Sequence, residues 1–175
     1  MKKVNRLATG AHKSAGANAL APDTYERVLS AGAVILLTAV AAALFKGRAH
    51  WPSVPLNIWV HLVTVLVAVT LTPFMLLRRR GTPLHRQLGW VWAGAMILTA
   101  LVSLSVRNVN HGGFSIIHFL SVFTLVQVPL IVWSARTHNL KRHRQSVRAM
   151  VTGALLIAGF FTFPFDRLLG HWLFS

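Results

Sequence analysis

Five apolar runs, each close to the length of a bilayer-crossing helix, constrain this chain more than any other feature. They fall at Val28–Phe45, Leu56–Leu77, Leu88–Val106, Phe114–Trp133 and Val147–Phe163, with 18, 22, 19, 20 and 17 residues in turn. A helix needs about 20 apolar residues to cross the hydrocarbon core. Together the runs take 96 of 175 residues, and a chain this small has no interior able to hide them all from water. The expected fold is an all-α integral membrane protein of five transmembrane helices. The first run exceeds the roughly 7–15 apolar residues of a signal-peptide core, and its basic leader is long, so it reads as a retained helix.

Charge fixes the expected orientation. The chain carries 18 Lys and Arg against 3 Asp and Glu, a formal charge of +15. Fourteen of the 18 fall on one side of the expected topology: Lys2, Lys3, Arg6, Lys13 and Arg27 before the first run, Arg78, Arg79, Arg80 and Arg86 after the second, and Arg136, Lys141, Arg142, Arg144 and Arg148 after the fourth. Only Lys46, Arg48, Arg107 and Arg167 fall on the other. Cytoplasmic loops collect Lys and Arg. The N-terminus is therefore expected inside and the C-terminus outside, in a bacterial inner membrane. This distribution assigns the basic excess to topology and anionic lipid heads, and it leaves no role for nucleic acid. Residues 1–22 are expected to form a mobile basic tail, and 23–175 a single helical domain that starts at Pro22-Asp23-Thr24. Cysteine is absent, which excludes disulfides, thiolate metal sites and cysteine nucleophiles. The tryptophans, mostly near run ends, suit the membrane interface.

Spans two and three repeat in spans four and five. Arg78 and Arg136 are each followed, after six residues, by His-Arg-Gln, at His85-Arg86-Gln87 and His143-Arg144-Gln145. Upstream, His61 and His118 each precede two apolar residues and a hydroxyl, Thr64 or Ser121. Downstream, Gly94-Ala95 corresponds to Gly153-Ala154. The expected architecture is thus a four-helix core, built from a duplicated helical hairpin, with span one at its edge. The repeat sets His61 and His118 at equal depth near the outer face, and His85 and His143 near the inner ends of their spans.

Ionisable side chains in a membrane span are costly, and each is a functional candidate. Two neutral imidazoles facing each other across a bundle can hold a haem iron axially, and two pairs would stack two haems across the bilayer. Small and hydroxyl residues sharing a face with His61 (Thr64, Ala68, Thr72) or following His118 (Ser121, Thr124, Gln127) leave room for a macrocycle or orient the ligand. The order of histidines on spans two to five resembles that of the di-haem transmembrane cytochromes b of the ascorbate-reducing type. That resemblance implies one haem b on His61 and His118, a second on His85 and His143, and a quinone or small reductant as partner. The segments Pro83-Leu84-His85-Arg86 and His143-Arg144 also resemble paired signatures of an uncharacterised family of small bacterial membrane proteins, over roughly residues 56 to 165. This second likeness implies a multi-span fold and no activity.

Other readings stand beside haem. His61 and His118 suit interfacial hydrogen bonds. Arg86 and Arg144, each beside a histidine in a basic loop, suit binding of lipid phosphate or another anion. His50, His111 and His171 gather on the outer side, where imidazoles can hold copper or zinc. Asp166 pairs with Arg167 or handles protons beside a quinone. No Ser-His-Asp set, paired carboxylates or phosphate-binding glycine loop is visible. The two functions to separate are one-electron transfer through bis-histidine haem, as an oxidoreductase or electron-transfer subunit, and a haem-free accessory or lipid-binding subunit of a larger membrane complex. A small transporter is a third reading, and it lacks an intramembrane acid to couple ions.

Overall fold

A computed structural model describes residues 21–105, 116–164 and 167–175. Most of the basic tail, Arg107, His111, Gly112-Gly113 and Asp166 lie outside the described residues. Among those described, regular structure is helical, with no strand. The elements are α1 (Thr24–Lys46), a 3-10 stretch (Gly47–Ser53), α2 (Leu56–Leu77), α3 (Pro83–Ser105), α4 (Ile116–Arg136) and α5 (Leu140–Met150). A π-helical segment (Val151–Ile157) carries α5 directly into the short α6 (Ala158–Phe160), and α7 (Leu168–Phe174) follows.

Four helices are long and apolar enough to cross a membrane: Thr24–Ser53, Leu56–Leu77, Pro83–Ser105 and His118–Arg136. The fifth apolar run, Val147–Phe163, falls mainly on the α5–α6 helix and is not one of the four. That helix opens with Lys141, Arg142, Arg144 and Arg148, so only its second half is apolar throughout.

Helix ends reach beyond the apolar runs because polar caps extend them. The Asp23 side chain accepts from the Glu26 amide, and the Glu26 carboxylate accepts from the Asp23 amide, both at 3.1 Å. This reciprocal capping box satisfies two orphan donors at the start of α1. Thr82 Oγ1 accepts from the His85 amide at 3.2 Å, ahead of Pro83, and Asn139 Oδ1 accepts from the Arg142 amide at 3.0 Å. As a result His85 and His143 stand on the first turns of α3 and α5, where the sequence reading had them in basic loops.

Packing follows helical spacing. On α1, Leu29, Ala33, Leu36, Val40 and Ala43 are buried, a stripe three to four residues apart facing the bundle. Its other face is apolar as well. Val28, Ile35, Leu56, Phe119, Phe160 and Phe174 expose 62–78% of their surface. So much apolar surface is costly in water and ordinary against lipid tails. Neighbouring helices meet in chain order, α2 on α3, α3 on α4 and α4 on α5, while α1 packs on α2 and on the π-segment. The four helices of the repeat thus form the core, and α1 lies along the edge between its first and last members. At the end away from the arginine-rich loops, Gly47 lets the 3-10 stretch meet the Trp172 ring, which any Cβ there would strike. Lys46 Nζ donates to the Leu173 carbonyl at 2.6 Å alongside. Trp92 and Trp172 are buried, unlike the exposed Trp51, Trp90 and Trp133, so the interface reading holds for only part of the set.

Candidate functional site

The repeat places α2 diagonal to α4 and α3 diagonal to α5. The two histidines of the second diagonal share a space. His85 and His143 line one cavity of about 500 Å3 at the arginine-rich end of the core. Its deeper wall is apolar and aromatic, drawn from Met75, Trp92, Ile131 and Val147 on four different helices, and its rim carries Arg86 and Arg136. Ligand cavities typically measure about 300–1,000 Å3, with apolar walls and a few placed polar groups.

The two rings differ in their hydrogen bonding. His143 Nδ1 lies 3.1 Å from the Ile131 carbonyl, which can only accept, so Nδ1 carries the proton and Nε2 keeps its lone pair. This backbone support is the usual companion of a metal-ligating imidazole. His85 Nδ1 is buried and has no hydrogen-bond partner among the described residues. A buried polar atom without a partner is unfavourable by about 1–3 kcal/mol. Two imidazoles, apolar walls and cationic rim residues fit an iron porphyrin with carboxylate substituents.

The first diagonal is arranged differently. His61 Nδ1 is 2.8 Å from Ser103 Oγ on α3. Below it, Thr99 Oγ1 donates to Thr64 Oγ1 at 2.7 Å, and Trp92 Nε1 donates to Thr72 Oγ1 at 3.1 Å. The hydroxyl face of α2 is therefore a polar seam against α3, and its groups are engaged with protein partners. His118 is buried on α4, as are Ser121 and Thr124 one and two turns on. Thr124 Oγ1 donates to the Leu120 carbonyl at 2.8 Å and reaches Met150 Sδ at 4.0 Å. Among the described residues, no group of three or more His, Asp or Glu is arranged to hold a metal ion.

Beside the cavity stands a charge cluster that sequence reading missed. Glu26 has 0% exposure. Its carboxylate pairs with Arg80, accepts from Arg144 Nε at 2.8 Å and Nη2 at 2.9 Å, and accepts from Arg148 Nη2 at 3.2 Å. Asp23 pairs with Arg148 and, at 3.1 Å, with Arg144. Partial burial pushes the Asp23 carboxyl up, but the Glu26 amide and the two guanidinium groups outweigh it and hold it below the ordinary carboxylate range. Glu26 thus joins α1 to the inner loop of the first hairpin through Arg80 and to the second hairpin through Arg144 and Arg148. Arg80 also lines the cavity. The signal was present in the sequence: two of three acids fall three residues apart at the threshold of a membrane run, where a carboxylate needs a partner.

The two arginines of the repeated motif have separate fates. Arg144 is engaged by Glu26 and Asp23, whereas Arg86 is exposed at the cavity rim. Helix α1, which has no counterpart in the repeat, makes the difference. No protein-family model, curated protein or solved structure matches this chain.

Proposed function

We propose that this protein is a membrane-embedded b-type cytochrome that carries one electron at a time, with His85 and His143 as axial ligands. The observation that carries the reading is the shared cavity of these two histidines, with the His143 proton committed to the Ile131 carbonyl. Haem held by His85 and His143 would supply the one-electron chemistry that a polypeptide alone lacks. The chain's own contribution is positional. Thr82 and Asn139 cap the helices that present the ligands, Ile131 fixes one tautomer, and Trp92 with its apolar neighbours excludes water. His61 and His118 are proposed as the ligands of a second haem toward the opposite face, the Ser103 hydroxyl orienting His61. Five spans, an N-terminus in the cytoplasm, a C-terminus outside and an inner-membrane location belong to the same reading, supported by the arginine-rich end of the bundle. A quinol or small reductant would supply the electrons, and the chain would serve as an oxidoreductase or as a subunit of a larger complex.

The competing reading is a haem-free subunit that docks anionic lipid. It draws on Arg142 stacked 5.1 Å from the Trp133 ring centre, a pair suited to the headgroup region. Visible spectra of protein purified in mild detergent from haem-replete cells separate the two. The cytochrome reading predicts sharp reduced bands of six-coordinate haem b, at one haem per chain for the inner pair alone or two if His61 and His118 also ligate. Colourless protein carrying bound phospholipid would replace it with the second reading.

A further inference from the structure

We propose that the rim of the His85–His143 cavity is a carboxylate-binding site, where Arg86 and Arg136 hold the acidic end of the cavity's ligand. The inference rests on the cytochrome reading for the identity of that ligand, whose acidic groups are then the haem propionates. Three observations carry it.

The first is the distribution of chemistry within the cavity. Its deep wall is apolar, and its cations stand at the arginine-rich end. That gradient suits an amphiphile with a flat apolar body and an acidic edge. The second is the supply of counter-charge. The chain holds three acids. Asp23 and Glu26 are engaged with Arg80, Arg144 and Arg148, and Asp166 follows the apolar run whose other end carries Arg144. Neither Arg86 nor Arg136 has a carboxylate partner among the described residues, so an acid there comes with the ligand. The third is preorganisation. The Arg136 guanidinium lies 5.2 Å from the centre of the Trp90 ring, which also lines the cavity. A guanidinium held over an aromatic ring still has N–H groups for a carboxylate, which they match as a fork.

The backbone at the rim adds to this. The turns that open α3 and α5 each contain one residue in the left-handed region, Gly81 at φ 81° and His138 at φ 57°. Gly81 stands four residues before His85, and His138 five before His143. The first turn uses the residue that adopts this conformation freely, and the second keeps an imidazole there, lining the same cavity. The left-handed His138 ends α4, its amide donating to the Ala135 carbonyl at 3.3 Å and the Asn139 amide to the Ser134 carbonyl at 3.0 Å, a helix cap that leaves the imidazole at the rim.

The test uses the full chain, prepared from haem-limited cells and titrated in detergent with haem or with haem dimethyl ester, in which both propionates are blocked. Wild type should bind haem at least about tenfold more tightly than the diester, which corresponds to about 1.4 kcal/mol. In the R86Q/R136Q double variant the gap should close through weaker haem binding, while diester affinity stays within about threefold and reports an intact cavity. Equal affinities in wild type, or a gap that survives the double substitution, overturn the carboxylate site and leave the cytochrome reading standing. If neither porphyrin binds, the cytochrome reading falls, and palmitate against methyl palmitate decides the site: preference for the acid that R86Q/R136Q abolishes supports it, and no preference overturns it.

Discussion

Glu26 is a buried carboxylate that ion pairs with Arg80, Arg144 and Arg148. A carboxylate with no exposure must be fully compensated, and three guanidinium groups converge on it. Removing one member of a buried ion pair is unfavourable by roughly 3–5 kcal/mol. Arg144 and Arg148 keep 22% and 25% of their side-chain surface exposed, so the charge left behind is partly solvated. E26Q is therefore expected at the low end, about 3 kcal/mol, seen as a lower thermal midpoint in detergent. A midpoint equal to wild type would remove the cluster's structural role. Thr72 is a smaller case of the same logic. T72V leaves the buried indole N–H of Trp92 without its acceptor, a loss of about 1–2 kcal/mol. T72S, which restores an oxygen, should recover most of it, and equal losses in both variants would assign the effect to packing. Neither contact was legible beforehand. In the sequence the Thr64–Thr72 face reads as room for a macrocycle or as support that orients the ligand, because periodicity tells which residues share a face and says nothing of which neighbour meets it. Pairing Glu26 with Arg80, 54 residues on, required knowing that α1 lies across both inner loops.

At the scale of elements, the apolar runs translate well into helices and their ends translate poorly. Leu56–Leu77 begins and ends as the hydropathy pattern required. Helix α3 starts five residues ahead of its run, at Pro83, because Thr82 and Pro83 form a favourable start whatever their hydropathy. Asn139 does the same for α5. Those added turns matter for function, since they carry His85 and His143 out of loops and onto opposed helices. The likeness of the two helix pairs was readable from the His-Arg-Gln spacing, and the helices pack in the order that a pair of hairpins requires. The asymmetry that α1 imposes was not readable, because it arises from contacts of an element outside the repeat. In the sequence, matched depth and hydroxyl neighbours put His61 and His118 ahead of His85 and His143 as haem ligands. The structure gives His85 and His143 a shared cavity, and gives His61 and His143 one Nδ1 partner each, Ser103 Oγ and the Ile131 carbonyl.

For the whole molecule, the apolar outer surface and the collection of cations at one end describe a protein made for a bilayer with two unlike sides. The absence of cysteine gives a clean background for testing topology. With the N-terminus inside, Ser53→Cys should react with a membrane-impermeant maleimide in intact cells, and Thr137→Cys should react only after permeabilisation. The reverse pattern would invert the orientation. The proposed function puts an iron between His85 and His143, which line one cavity. The most direct measurement is the visible spectrum of purified His143→Ala before and after addition of imidazole. The account predicts loss of the six-coordinate signal at that site, with His85 remaining as ligand, and its return when imidazole enters the vacated position. An unchanged six-coordinate spectrum in His143→Ala, with no response to imidazole, would contradict it.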